Sequence, residues 1–288
     1  MHRYINCIAH PSSEGNLLLG ETHAALFDCG MMFCAGRTIQ NVKQALGGRP
    51  LDYIIATHTH YDHIGALPFF REEWPGLRFA TCEAGAAVLP RETPRRVFRE
   101  FSAAAAAANG APPDFIYDDD AFHADEIIEE GSAIHLGNLT VKTLKTPGHT
   151  RDSLSFFVPE EELLILNETL GVLLPDGSVY PCYLTSYGDA VRAVETCGRI
   201  PHKRLSLPHR GLVGPEEAAG FFERALAALA ACHAFIQGML ARGLDENEML
   251  ALFAQKYATE ALRRYQPKEA FFANAKAMIH NEQLTMNN

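Results

Sequence analysis

The chain has 288 residues, 47% hydrophobic and 21% charged, a balance that buries a full core without disulfide staples. Its formal net charge of −10 excludes a general nucleic-acid surface, which needs a basic footprint, but leaves room for a local cationic pocket and an anionic small molecule. Seven cysteines, an odd number with no CxxC pair, point to reduced structural thiols and a cytoplasmic chain. No run of about 18 apolar residues predicts a membrane span, and the N-terminus lacks a signal-peptide core.

Short strands are predicted over residues 3–9, 16–19 and 24–28, with turn chemistry at 11–16 and 20–22. Asp28-Cys29-Gly30 ends the third strand, where the Asp either orients a loop or metal ligand or closes a turn on its own backbone. A helix over 37–46 is stopped by Gly47-Gly48. Residues 51–57 then form an apolar, β-branched and aromatic strand. It runs directly into His58-Thr59-His60-Tyr61-Asp62-His63, four metal-binding side chains within six positions.

A helical segment near 65–70, a strand at 77–81 and a short helix at 83–89 follow. Six consecutive alanines make 91–109 a helix. On it Arg95, Arg96 and Arg99 form either a solvated basic face or an anion-binding wall. A hairpin over 132–145 turns at Gly137-Asn138 and leads into Thr146-Pro147-Gly148-His149-Thr150. Strands over 153–158 and 163–166 lead to Asn167-Glu168. A helix at 188–199 and a strand at 203–207 lead to Pro208-His209-Arg210-Gly211. Four times a strand delivers a His or carboxylate into a loop, where a rigid scaffold can turn several such side chains inward. From residue 215 the signal is purely helical, at 215–242, 245–255, 258–264 and 267–281. Phe221, Phe222, Phe235, Phe271 and Phe272 there pack either within the chain or across a homodimer.

His58-x-His60-x-Asp62-His63, His149, Glu168 and His209, in that order, resemble the metallo-β-lactamase superfamily over about residues 4–213. Asp28-Cys29-Gly30 is similar to that family's Asp-x-Gly strand end. The resemblance implies an α/β fold, a four-layer αββα sandwich over residues 1–213, with residues 214–288 as a C-terminal α-helical extension. The tail is similar to that of quinolone-signal response proteins and phosphorylcholine esterases, in which helices cover the active-site mouth. Carried over by position, His58, His60 and His149 would hold one metal, and Asp62, His63 and His209 a second. Glu168 would stand where the family has a bridging Asp, one methylene shorter. Arg210 follows the last His where the family usually has Gly, and could grip a phosphate or carboxylate.

The resemblance implies two divalent ions, zinc first, with iron or manganese compatible with the same donors. It implies hydrolysis of a small-molecule ester, thioester, lactone or phosphodiester by metal-activated water, with Asp62 and Glu168 catalytic. Tyr183 and Tyr187 are candidates for substrate binding beside Arg210. Two other classes share the scaffold: an iron-dependent oxidoreductase, and a regulatory or binding protein with incidental hydrolase activity.

Overall fold

The computed structural model of the chain describes residues 3–286. Its first sheet has strands β1 (Tyr4–Asn6), β2 (Asn16–Leu19), β3 (Ala24–Phe27), β4 (Tyr53–Ile55), β5 (Arg78–Thr81) and β6 (Glu126–Ile127) in that order. β1 to β3 are antiparallel, and β3 to β6 run parallel. The second sheet starts with the antiparallel meander β7 (Ala133–His135), β8 (Thr140–Lys145), β9 (Leu154–Val158) and β10 (Leu163–Ile165). Between β10 and the rest of that sheet the chain forms a small hairpin, β11 (Val172–Leu173) with β12 (Val179–Tyr180). Then β13 (Arg204–Leu207) pairs parallel to β10, and β14 (Gly211–Leu212) closes the edge.

Successive side chains on a strand face opposite ways, so each strand here feeds two cores. Phe27, Ile55, Phe156, Leu163 and Ile165 meet between the sheets. Leu17, Leu26, Ile54 and Phe79 face outward, against α1 (Ala35–Leu46), α2 (Tyr61–Ile64), α3 (Leu67–Glu73) and α5 (Glu92–Ala108); the short α4 (Glu83–Ala86) precedes α5. The outer face of the second sheet, with Leu164 and Leu205, packs on α6 (Tyr187–Gly198) and the tail. The layers are therefore αββα. Because both sheet faces are covered, the strands read as apolar runs rather than alternating ones.

The tail comprises α7 (Pro215–Ala218), α8 (Phe221–Ala241), α9 (Glu246–Tyr257), α10 (Glu260–Arg263) and α11 (Lys268–Met286). The single helix expected over 215–242 breaks in two at Gly220, whose φ of 63° is a left-handed conformation that glycine adopts without strain. By length and composition α8, with mean hydropathy 1.3, could cross a membrane. Here Phe221, Ala225, Leu229, Cys232, Ile236 and Met239 recur at three- and four-residue steps and pack into the core shared with the second sheet. Phe221 and Phe271 are buried in that same core, with Phe222, Phe235 and Phe272 half-buried against it. β6, β11, β12 and β14 were not anticipated, because two residues are too few to show a period of two.

Candidate metal centre

The strand ends named above converge on one edge between the two sheets. β4 leads into His58, His60, Asp62 and His63; β8 into His149; β10 into Glu168; β13 into His209. Their ligand atoms fall into two sets, each within 4.8 Å: His58, His60, His149 and Glu168, and Asp62, His63, Glu168 and His209. Glu168 belongs to both. Its Oε2 lies 2.9 Å from His149 Nε2, 3.2 Å from His58 Nε2 and 3.6 Å from His63 Nε2, while its Oε1 lies 2.8 Å from His209 Nε2. Asp62 Oδ2 stands 3.7 Å from His63 Nε2 and 4.0 Å from His209 Nε2.

Several of these ligands are held by neighbours that the motif does not contain. Asp28, fully buried at φ 58°, accepts from the Thr57 N–H at 2.8 Å and Thr57 Oγ1 at 2.7 Å. It also sits 2.9 Å from His63 Nδ1. That contact fixes the ring with Nε2 toward the centre, and it decides the role that the sequence left open for Asp28. His149 Nδ1 lies 2.8 Å from the Cys182 carbonyl, and the His149 backbone N–H donates to Thr169 Oγ1. Asp152 Oδ2 accepts from the N–H and hydroxyl of Thr59, between two ligands. His209 sits at φ 60°, held by its N–H donating to Glu14 Oε1 at 2.7 Å. Asn167 donates to Thr146 Oγ1, the Leu154 carbonyl and Ser155 Oγ, pinning the Glu168 loop to the second sheet.

The electrostatics are those of a site built for a cation. Burial and the neighbouring His63 hold the His58 imidazole below its usual range, and burial with His58 and His149 holds His60 well below. Burial also opposes charge on His149 and His63, but Glu168 beside the first, and Asp28 and Asp62 beside the second, raise both well above. Burial works against the Glu168 carboxylate too, yet His149 and its imidazole neighbours keep it well below the usual carboxylate range. His58 Nε2 and His63 Nε2 are buried, and neither makes a well-aligned hydrogen bond to the Glu168 oxygen that faces it. Unpaired ring nitrogens are costly inside a protein, and a metal ion between these donors would satisfy both.

A cavity of about 110 Å³ opens over the centre. His60, Asp62, His149, Glu168 and His209 form its floor. α5 supplies Val97, Phe98 and Phe101 to the wall, and the small hairpin supplies Val172 and Tyr180. The tail supplies Leu262, Tyr265, Gln266, Pro267, Ala270 and Asn274. The Tyr265 ring lies 6.4 Å from the His209 ring.

The three residues expected to bind substrate lie off this cavity. The Tyr183 hydroxyl donates to Glu282 Oε1 at 2.9 Å in the core; Tyr187 stacks on His233 at 4.1 Å; Arg210 pairs with Glu217. Nor is there an arginine wall on α5: Arg95 pairs with Asp120, Arg96 with Glu100, and Arg99 with Glu92 and Asp119. Arginines near acidic loops satisfy themselves locally, which a linear spacing does not reveal.

The family model of the metallo-beta-lactamase superfamily matches residues 16–209, more than half of the chain. The chain belongs to this superfamily. It is 29% identical over 208 residues to the probable metallo-hydrolase YqgX of Bacillus subtilis, covering 69% of this chain and 83% of that protein. It is 27% identical over 129 residues to a hydroxyacylglutathione hydrolase of Mesorhizobium japonicum, covering 45% of this chain and 37% of that one. Among solved structures, the metallo-beta-lactamase family protein TTHA1429 of Thermus thermophilus superposes with a TM-score of 0.62 at 22% identity, over 99% of this chain and 92% of that chain. This superposition extends through the helical tail and concerns the fold. The sequence and site place the chain among metal-dependent hydrolases.

Proposed function

We propose that the chain is a dinuclear hydrolase that cleaves a carboxylic ester, thioester or lactone of a small molecule. The observation that carries this reading is the pair of four-ligand sets that share the Glu168 carboxylate. Two divalent ions, zinc first, would there acidify a water and polarise the acyl oxygen. The chain's own residues do the rest. Asp62, on the cavity floor, accepts the proton of the attacking water and passes it to the leaving atom. Glu168 holds the two ligand sets at one spacing through its two oxygens. Leu262, Tyr265 and Pro267 roof the site and keep bulk water from the reacting centre.

No Lys or Arg lines the cavity among the described residues, which favours a neutral acyl group over a phosphodiester at the scissile position. The hydroxyacylglutathione hydrolases among the relatives support a thioester. Protein purified without chelator should show close to two metals per chain by elemental analysis, and should hydrolyse an acyl ester and thioester panel. A well-folded chain that takes up no divalent metal overturns the reading. Oxygen consumption with a thiol or persulfide, without hydrolysis, moves it to an iron oxidoreductase.

A further inference from the structure

A second groove, of about 550 Å³, runs along the outside of the centre. It shares His60, Val97 and Phe98 with the inner cavity, so these three residues border both spaces. Their chemistry differs. The inner walls are mostly apolar, with Gln266 and Asn274 among them, and carry no Lys or Arg among the described residues. The outer groove carries Arg91 and Arg151, both exposed. Neither guanidinium makes a hydrogen bond or ion pair among the described residues, whereas Arg71, Arg99, Arg204 and Arg210 are each bound to a protein carboxylate.

The 17-residue helix α5 starts in the same groove: Arg91 precedes its first turn and Thr93 lies within it. Its N–H groups add partial positive charge there. The one carboxylate lining the groove among the described residues, Asp152, is already engaged, its Oδ2 accepting from the Thr59 N–H and hydroxyl. In a chain of net charge −10, two uncommitted guanidiniums line a groove that also reaches the candidate ligand His60, and guanidiniums suit phosphate and carboxylate.

We propose that Arg91 and Arg151 bind the anionic leaving group of an acyl thioester or ester whose apolar acyl chain lies in the inner cavity. This rests on the hydrolase reading above. Water adds to the acyl carbon, and the bond from that carbon to sulfur or oxygen breaks with its electron pair staying on the leaving atom. That atom takes up a proton relayed by Asp62; the acid departs as a carboxylate and one proton is released. The carbonyl then sits beside His60, the neutral chain inward and the charged handle outward.

Guanidinium forks accept phosphate and carboxylate alike, so the test has two arms. Metal-loaded protein is titrated with S-methyl coenzyme A, which offers phosphates, and with S-methyl glutathione, which offers carboxylates. The methyl group keeps the sulfur from acting as a thiolate ligand. At least one thioether should bind wild-type protein, more weakly as salt is added, and at least tenfold more weakly to the double variant Arg91→Gln/Arg151→Gln. Unchanged metal content in that variant shows that the centre is intact. A response to coenzyme A alone assigns a phosphorylated handle, and to glutathione alone a carboxylated one. Equal binding to both proteins, or no binding to wild type, overturns the proposal. Turnover of acyl thioesters is read separately. Arginine-dependent binding without turnover removes the hydrolase and keeps the anion site; turnover without arginine-dependent binding does the reverse.

Discussion

His63 shows how much of this centre depends on residues one step behind the ligands. Its Nδ1 lies 2.9 Å from Asp28 and 3.3 Å from Thr57 Oγ1, so Asp28→Ala leaves that buried nitrogen only the longer contact and loosens the ring. Metal affinity should fall about 10- to 100-fold, read by competition with a chromophoric chelator. A fall of less than twofold would mean that His63 is oriented by something else. The raised pKa values of His149 and His63 have a second consequence. In the metal-free protein these imidazoles hold protons at neutral pH that a metal ion must displace. Metal uptake should therefore release protons into unbuffered solution, and affinity should rise with pH. The seven candidate ligands were legible in sequence because each follows a strand and breaks a pattern. Glu14, Thr57 and Asp152 were not: Glu14 stands 195 residues from the His209 it supports, and nothing in either stretch marks the pair.

At the scale of elements, the strands that deliver ligands were legible because an apolar run ending in Pro, Gly or His is a strong signal even when short. The side chains of the cover were not, because helix periodicity gives a face but not what it faces. Two elements carry specific expectations. Gly148, at φ 144°, lets the His149 loop lie on the next layer; an added Cβ would come within 2.7 Å of Thr169 Cγ2 and 2.9 Å of the Ala190 Cα. Gly148→Ala should cost about 2–4 kcal/mol in urea unfolding, from overpacking and backbone strain together. α11 is tied down by Glu282, buried, which accepts from Tyr183, His233 and Gln237. Glu282→Ala strands those donors and should cost about 2 kcal/mol or more. A cost below about 0.5 kcal/mol would show that apolar packing alone holds the helix.

Across the whole molecule all seven thiols are buried and free. Burial pushes Cys7 up to about 11, and Cys197 and Cys232 up to about 12. An unfolded thiol ionises near 8.5, so between about pH 8.5 and about 11 these groups keep their protons in the folded chain and lose them on unfolding. Their contribution to stability is full below about pH 8.5 and is lost as pH rises through 11 to 12. A thiol reagent at pH 8 should find no reactive cysteine until denaturant is added; rapid labelling of the native chain would contradict this burial.

The tail and the second sheet share one core: Ala275, Met278 and Ile279 of α11 belong to the same packed group as Leu164 and Leu205. A roof built that way has no hinge of its own, and lifting it would expose the core. Molecules would enter and leave with the roof in place. Discrimination would then fall on the rate of arrival rather than on a later closing step. Binding traces would show one phase that scales with ligand concentration, without a plateau set by an opening rate.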